Sequence, residues 1–186
     1  MAKIVAFDDA MQVEPLLTQI IAVYRAAFEQ APYFKREEEV RAFANVLPQH
    51  TKRVGFRCVV ALNEEKQQVL GFAYGYTGAI GQWWHELVLR RMTDEDAEVW
   101  MNDVFEVVEV AVHPSAHGRG YGGMIHDALL QGRPHRTAAL STYKQETTAL
   151  KMYEKRGWVT LVDTFIFPGY VEPYRIMGKV LNNQKI

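Results

Sequence analysis

Apolar positions along the chain fall into successive stretches of helical and strand period. Over 14–30, Leu17, Ile20, Ile21, Tyr24 and Phe28 recur at the spacing of one helix face. Ala31-Pro32-Tyr33-Phe34 interrupts the pattern, because proline resists continuing a helix. Val40, Phe43, Ala44 and Leu47 then predict a second helix over 37–47. After that the period changes. The stretches 54–62 and 69–78 are rich in Val, Phe and Tyr and flank the polar turn Asn63-Glu64-Glu65-Lys66, which predicts a β-hairpin. Residues 79–102 are less regular: Gly81-Gln82 leads through Trp83 and Trp84 into a helix, and the acidic stretch 93–103 closes with a short one. From there the order is a strand (104–112), a glycine-rich turn, a helix (120–130), a strand (137–142), a helix (147–156) and two strands (159–167 and 174–181).

Helices and strands that alternate within one apolar-rich chain predict an α/β (α+β) class with a mixed sheet. A length of 186 residues suits one domain over 1–186. The hydrophobic share of 48% supports a sizeable core and excludes a disordered chain. Lys and Arg number 21 against 22 Asp and Glu, so the chain lacks the basic excess of a phosphate-neutralising nucleic-acid binder. The partner expected is a small molecule or a discrete protein.

Cys58 stands alone, which excludes an intramolecular disulfide and a cysteine-rich zinc site, and Phe56, Val59 and Val60 around it predict a buried thiol. The six histidines show no ligand spacing such as H-E-x-x-H, so no metal is expected. Asp8 and Asp9 precede any long apolar stretch, unlike a signal peptide. No apolar run approaches the roughly 18 residues that span a bilayer. The expectation is a cytoplasmic protein without a membrane partner, its oligomeric state open and a homodimer among the options.

The densest chemical signal lies in 106–130. A Val-rich strand feeds a loop with Gly118, Gly120, Gly122 and Gly123, and a helix starts there. Glycines let successive backbone N–H groups converge, and a helix N-terminus adds partial positive charge, so the turn suits a phosphate or pyrophosphate. Arg119 adds a charged donor. Gly118, Gly120 and Gly123 also satisfy the dinucleotide pattern G-x-G-x-x-G. That reading fails twice. The five residues His113 to His117 separate strand from glycines, and the next strand offers Ala139, Leu140 and Ser141 where an acidic ribose ligand belongs.

These residues resemble the GNAT superfamily of acyl-CoA-dependent N-acyltransferases. The family's strand often ends V-x-P before Gln/Arg-x-x-Gly-x-Gly/Ala and a helix; here Val112-His113-Pro114 precedes His117-Gly118-Arg119-Gly120-Tyr121-Gly122. His117 departs from the usual Gln or Arg. The second family motif, Ala-x-x-x-Tyr-x-x-x-Gly-Phe, is matched by Ala149, Tyr153, Gly157 and Trp158, with Glu146 where an Asn usually stands. The element order over nearly the whole chain is similar to the family's, and the resemblance implies that 79–102 is an insertion on the substrate side.

The resemblance implies a mixed, mostly antiparallel sheet flanked by helices on both faces, its two central strands splayed at the acetyl-CoA site. It implies direct transfer of an acetyl group from acetyl-CoA to the primary amine of a small molecule or peptide in a ternary complex. Val110 and Val112 would pair with the pantetheine arm, and His117, Gly118, Arg119, Gly120, Tyr121, Gly122 and Gly123 would hold the pyrophosphate. Glu106 takes the place of the catalytic glutamate of some histone-acetylating members and is the first choice of base. Glu109 is the alternative, on the opposite strand face by the period of two. Another branch draws its base from the next strand, where this chain has Ser141. Tyr153 matches the tyrosine that contacts the cofactor and protonates the departing thiolate. Tyr33, Trp83, Trp84 and Tyr170 are candidates for the acceptor pocket, with His85 and Glu86 as a polar handle. The departures at His117 and Glu146 leave a second reading, a non-catalytic acyl-CoA-binding module on the same fold; a dinucleotide enzyme is a distant third.

Overall fold

A computed structural model describes residues 2–181. Strands pair in the order β1-β2-β3-β4-β5-β7-β6, a mixed, mostly antiparallel sheet flanked by helices. The chain divides into two compact units: the first runs up to Tyr76 and includes Val108–Gln131, and the second comprises Thr77–Val107 and the chain from Gly132 on.

The first unit opens with β1 (Lys3–Phe7), antiparallel to β2 (Arg57–Asn63) with Val5 opposite Val60. The periodicity reading lacks this strand; only Ile4 and Val5, short and β-branched, hint at it. Next come α1 (Ala10–Val13), a 3-10 turn at Glu14–Leu16 and α2 (Leu17–Phe28). The helix expected from residue 14 therefore starts later, because Pro15 sits in the preceding turn. α3 (Glu37–His50) is opened by Glu39, whose carboxylate accepts from the Arg36 N–H at 3.0 Å. It runs past the expected end at 47. Pro48 lies in the last turn, and the Thr51 N–H still closes on the Leu47 carbonyl at 3.1 Å.

β2 and β3 (Gln68–Thr77) form the expected hairpin. On one face, Cys58, Val60, Phe72 and Tyr74 pack under Ile20, Tyr24, Phe28, Val40, Phe43 and Leu47 of α2 and α3. The rings of Tyr24 and Phe43 stack with centroids 3.8 Å apart. Burial pushes the Cys58 thiol up to about 12, which leaves it inert. α6 (Tyr121–Leu130) packs on β1 and β2.

The second unit holds α4 (Trp83–Leu89) and α5 (Asp94–Trp100), the two short helices expected within 79–102. Thr93 caps α5 by accepting from the Asp96 N–H at 3.1 Å, and three acidic residues fill its first turn. β4 (Val104–Val112) starts in this unit and ends in the first. It pairs in parallel with β5 (Thr137–Tyr143) over three positions, Val104↔Thr137 to Glu106↔Ala139. After α7 (Thr148–Lys155), β6 (Val159–Phe165) and β7 (Tyr174–Val180) complete an antiparallel ladder with β5. Val88, Met101, Val104, Ala139, Phe165, Phe167 and Ile176 form the core here. Gly178 lies under Trp100 so closely that a Cβ would stand 2.7 Å from the ring.

Removing the aromatic stack in the first unit tests its packing. Phe43→Ala is expected to lower unfolding free energy by about 3–5 kcal/mol in urea titration, as large aromatic truncations in closed cores do. A loss below about 1 kcal/mol would show that α3 adds little to this core.

Candidate functional site

The glycine turn follows β4 across His113 to His117. His113 follows the strand, its N–H donating to the Leu70 carbonyl at 2.8 Å, and its ring accepts from the Ser115 N–H at 3.2 Å. Pro114–Ala116 form a 3-10 turn, after which Gly118 and Gly120 take φ of +74° and +78°. L side chains rarely adopt that backbone, so the turn itself demands glycine. Gly120 is the N-cap of α6 and brings no side chain to its first amides. The N–H groups of Tyr121, Gly122 and Gly123 have no carbonyl of their own helix to meet. Gly118, Arg119 and Gly120 are exposed. This cradle fits a pyrophosphate: open backbone, a positive helix end and a guanidinium nearby.

Two of the expected loop contacts take a particular form. The His117 ring donates through Nε2 to the Val112 carbonyl at 2.9 Å and so ties the loop to the strand end. Tyr121 is buried, with its hydroxyl accepting from the Ala2 N–H at 3.1 Å, which leaves its backbone for a ligand. Val110 and Val112 are half-buried on the same strand.

Glu109 shares this unit. It is half-buried, and loss of water pushes its carboxyl up to about 7, against the pull of the Lys35 charge and the Val110 N–H. Lys35 donates to the Tyr24 hydroxyl at 2.5 Å and lies 4.9 Å from the ring centroids of both Tyr24 and Phe28. Tyr33 stands edge-on to Phe28 at 4.8 Å. Tyr33 and Lys35 thus belong to one aromatic-lined cluster on the loop between α2 and α3. The motif reading missed Lys35, since nothing near it in sequence marks it.

The second unit holds the other candidates. Glu106 is buried, and its Oε1 lies 2.8 Å from Nδ1 of His85 on α4. The neighbouring Trp84 donates through its indole N–H to the Ser141 hydroxyl at 3.2 Å. Trp83 stacks on Phe167 at 5.7 Å, and Tyr170 meets the same ring edge-on at 6.4 Å. Trp83 and Tyr170 stay 58% and 43% exposed, so this cluster shows open aromatic surface. Tyr153 is buried on α7, 5.8 Å from the Trp158 ring. Glu146 pairs with Lys151 at 2.9 Å on the surface, which pulls its carboxyl below the usual range.

Sequence spacing placed Glu106 on β4 and His85 on a helix but gave no sign that they meet, 21 positions apart. Among the described residues no three His, Cys, Asp or Glu side chains are grouped to hold a metal ion. None of the described helices is long and apolar enough to cross a membrane.

Comparison with known proteins adds a family. Residues 54–160 match the model of an acetyltransferase (GNAT) domain. The chain is 33% identical over 121 residues to the GCN5-like protein acetyltransferase Rv2170 of Mycobacterium tuberculosis. That match covers 61% of this chain and 59% of the relative, so the chain spans about three-fifths of that protein. A solved structure described as histone acetyltransferase HPA2 and related acetyltransferase, from Corynebacterium glutamicum, aligns over 100% of both chains with a TM-score of 0.67 and 16% identity. An aminoglycoside 6'-N-acetyltransferase complexed with coenzyme A aligns over 99% of both chains with a TM-score of 0.61 and 14% identity. Likeness at that identity is one of fold.

The raised Glu109 carboxyl has a measurable consequence. Between the ordinary 4.5 and about 7, the folded chain keeps a proton that an unfolded chain has released. This residue's contribution is therefore full at low pH and lost as pH rises through about 7. Glu109→Gln, neutral throughout, should gain about 1–3 kcal/mol on wild type in moving from about pH 5 to about pH 8, measured by urea unfolding. Equal mutant-minus-wild-type differences at both pH values would show an ordinary carboxylate.

Proposed function

The chain belongs to the GNAT acetyltransferase family, and we propose that it transfers an acetyl group from acetyl-CoA to the primary amine of a small molecule or peptide. The observation that carries the reading is the turn at Gly118–Gly120, where two left-handed glycines open the amides of α6 after β4 and a short 3-10 turn. Acetyl-CoA binds with its pyrophosphate on these amides and on Arg119. Its pantetheine arm runs along β4 at Val110 and Val112, the stretch outside the ladder with β5.

The acceptor amine arrives as an ammonium, which has no lone pair. A carboxylate takes one proton, and the neutral amine attacks the thioester carbonyl in the ternary complex. A β4 backbone N–H holds the oxygen as it becomes an oxyanion. The carbon–sulfur bond then breaks, the nitrogen gives up its second proton to solvent, and the Tyr153 hydroxyl protonates the thiolate before regaining a proton from water. A phenol near 10 protonates a thiol near 8.5 only through a shared hydrogen bond, so Tyr153 must act at close range.

Glu106 is the first choice of base. Glu109 is favoured by a separate observation, a carboxyl near 7 on a partly open side chain, where general bases work best at neutral pH. Single Gln substitutions discriminate, since only the true base lowers kcat. Tyr33 in the first unit, and Trp83, Trp84 and Tyr170 in the second, each offer a flat aromatic surface as a candidate for the acceptor.

The direct test is thiol release from acetyl-CoA against polyamines, aminoglycosides, amino acids and peptide N-termini. Coenzyme A binding without turnover on any of them would replace transfer by acyl-CoA sensing. Tyr153→Phe is expected to lower kcat at least about tenfold with little change in the KM for acetyl-CoA. An unchanged rate at saturating acetyl-CoA would remove Tyr153 from the mechanism. Gly120→Val should abolish coenzyme A binding in calorimetry, because valine resists a φ of +78° and crowds the pyrophosphate. Normal affinity in that variant would refute the site.

A further inference from the structure

A carboxylate on a Val-rich strand is costly to bury unless another group holds its charge. Only 2% of the Glu106 side chain and 4% of the His85 side chain reach solvent, with Oε1 and Nδ1 2.8 Å apart. An ionised carboxylate can only accept, so with Glu106 charged the His85 Nδ1–H donates.

Two further features preserve this contact. Gly78, just after β3, leaves the space the pair occupies: a Cβ there would stand 2.6 Å from Glu106 Oε1 and 2.9 Å from His85 Nδ1. The Gly78 N–H donates to the Val104 carbonyl at 2.9 Å, which locks that close approach. Trp84 anchors α4 to Ser141 on β5, so consecutive residues bond α4 to both central strands of this unit. A seven-residue helix is too short to hold its own orientation, and these two bonds supply it.

We infer that His85 is a positioning residue for the transfer reaction. Its Nδ1–H holds Oε1 of Glu106 and thereby fixes the orientation in which that carboxylate meets the reaction. This rests on the reading of Glu106 as the base. α4, between the hairpin and β4, is then part of the acid–base apparatus as well as of the acceptor wall.

The choice of ring nitrogen makes the inference testable. Asparagine places its amide N–H close to the position of Nδ1, whereas glutamine reaches toward that of Nε2. The assay is acetyl-CoA thiol release with spermidine, kanamycin, lysine or a peptide N-terminal amine, or with water as acceptor if none of these reacts. His85→Asn is expected to keep most of kcat. His85→Gln and Gly78→Ala should lose at least about tenfold, with the KM for acetyl-CoA within about twofold of wild type. Equal losses in His85→Asn and His85→Gln, or a KM that rises with the loss, would reduce His85 to a packing role and overturn the inference. A folded His85→Gln with wild-type kcat beside an inactive Glu106→Gln would also overturn it while leaving the base in place. Wild-type kcat in Glu106→Gln instead removes the base, and the inference with it. Should His85→Gln fail to fold, His85→Ala, which removes the Nδ1–H, decides alone and combined with Glu106→Gln. A double no slower than Glu106→Gln alone supports the inference, and losses that multiply independently refute it.

Discussion

The N–H and C=O groups of β4 must all find partners, and its two edges meet that demand differently. Its parallel ladder with β5 stops at Glu106↔Ala139, although the strand continues to Val112. On the β3 side the contact is close: a Cβ on Gly71 would stand 3.0 Å from the Ala111 carbonyl oxygen, and His113 donates to Leu70. The β3 edge is therefore held at the strand's far end, while the β5 edge leaves the ladder midway. In the proposed reading the amides of pantetheine complete that second edge. The glycine turn then continues the same path, so thioester, oxyanion donor and anion cradle follow in chain order.

The two carboxylates of β4 show how three residues of separation produce different chemistry. Glu106 lies on the face covered by α4 and is closed off with an imidazole at 2.8 Å. Glu109 lies on the face under α2 and α3, partly open, with a lysine ammonium as its main charged neighbour and its carboxyl pushed up to about 7. Alternation along a strand separates them, and the helices on each face then set their environments. A buried carboxylate works as a base only if its orientation is held. A half-open carboxylate near neutrality needs no such support. That contrast gives His85 its significance.

Much of the architecture was legible because its signals are local. Helical spacing from Leu17 to Phe28, the polar turn after Leu62 and the valines of 104–112 each depend on neighbours within a few positions. β1 was missed because five residues are too few to show a period, and its place comes from pairing with β2 more than fifty positions away. α3 outran its expected end because a proline in a last turn loses one hydrogen bond without reversing the chain.

The sequence by itself determined the order of elements, the glycine turn and the two motifs that resemble the family, since backbone preference and turn chemistry act over short chain distances. Only the tertiary structure decided what Glu106 and Glu109 face, which atom His117 holds and that Trp84 and His85 bond to neighbouring strands. Those properties depend on burial and on partners from elsewhere in the chain. A hydrogen bond at 2.8 Å between residues 21 positions apart leaves no periodicity to read.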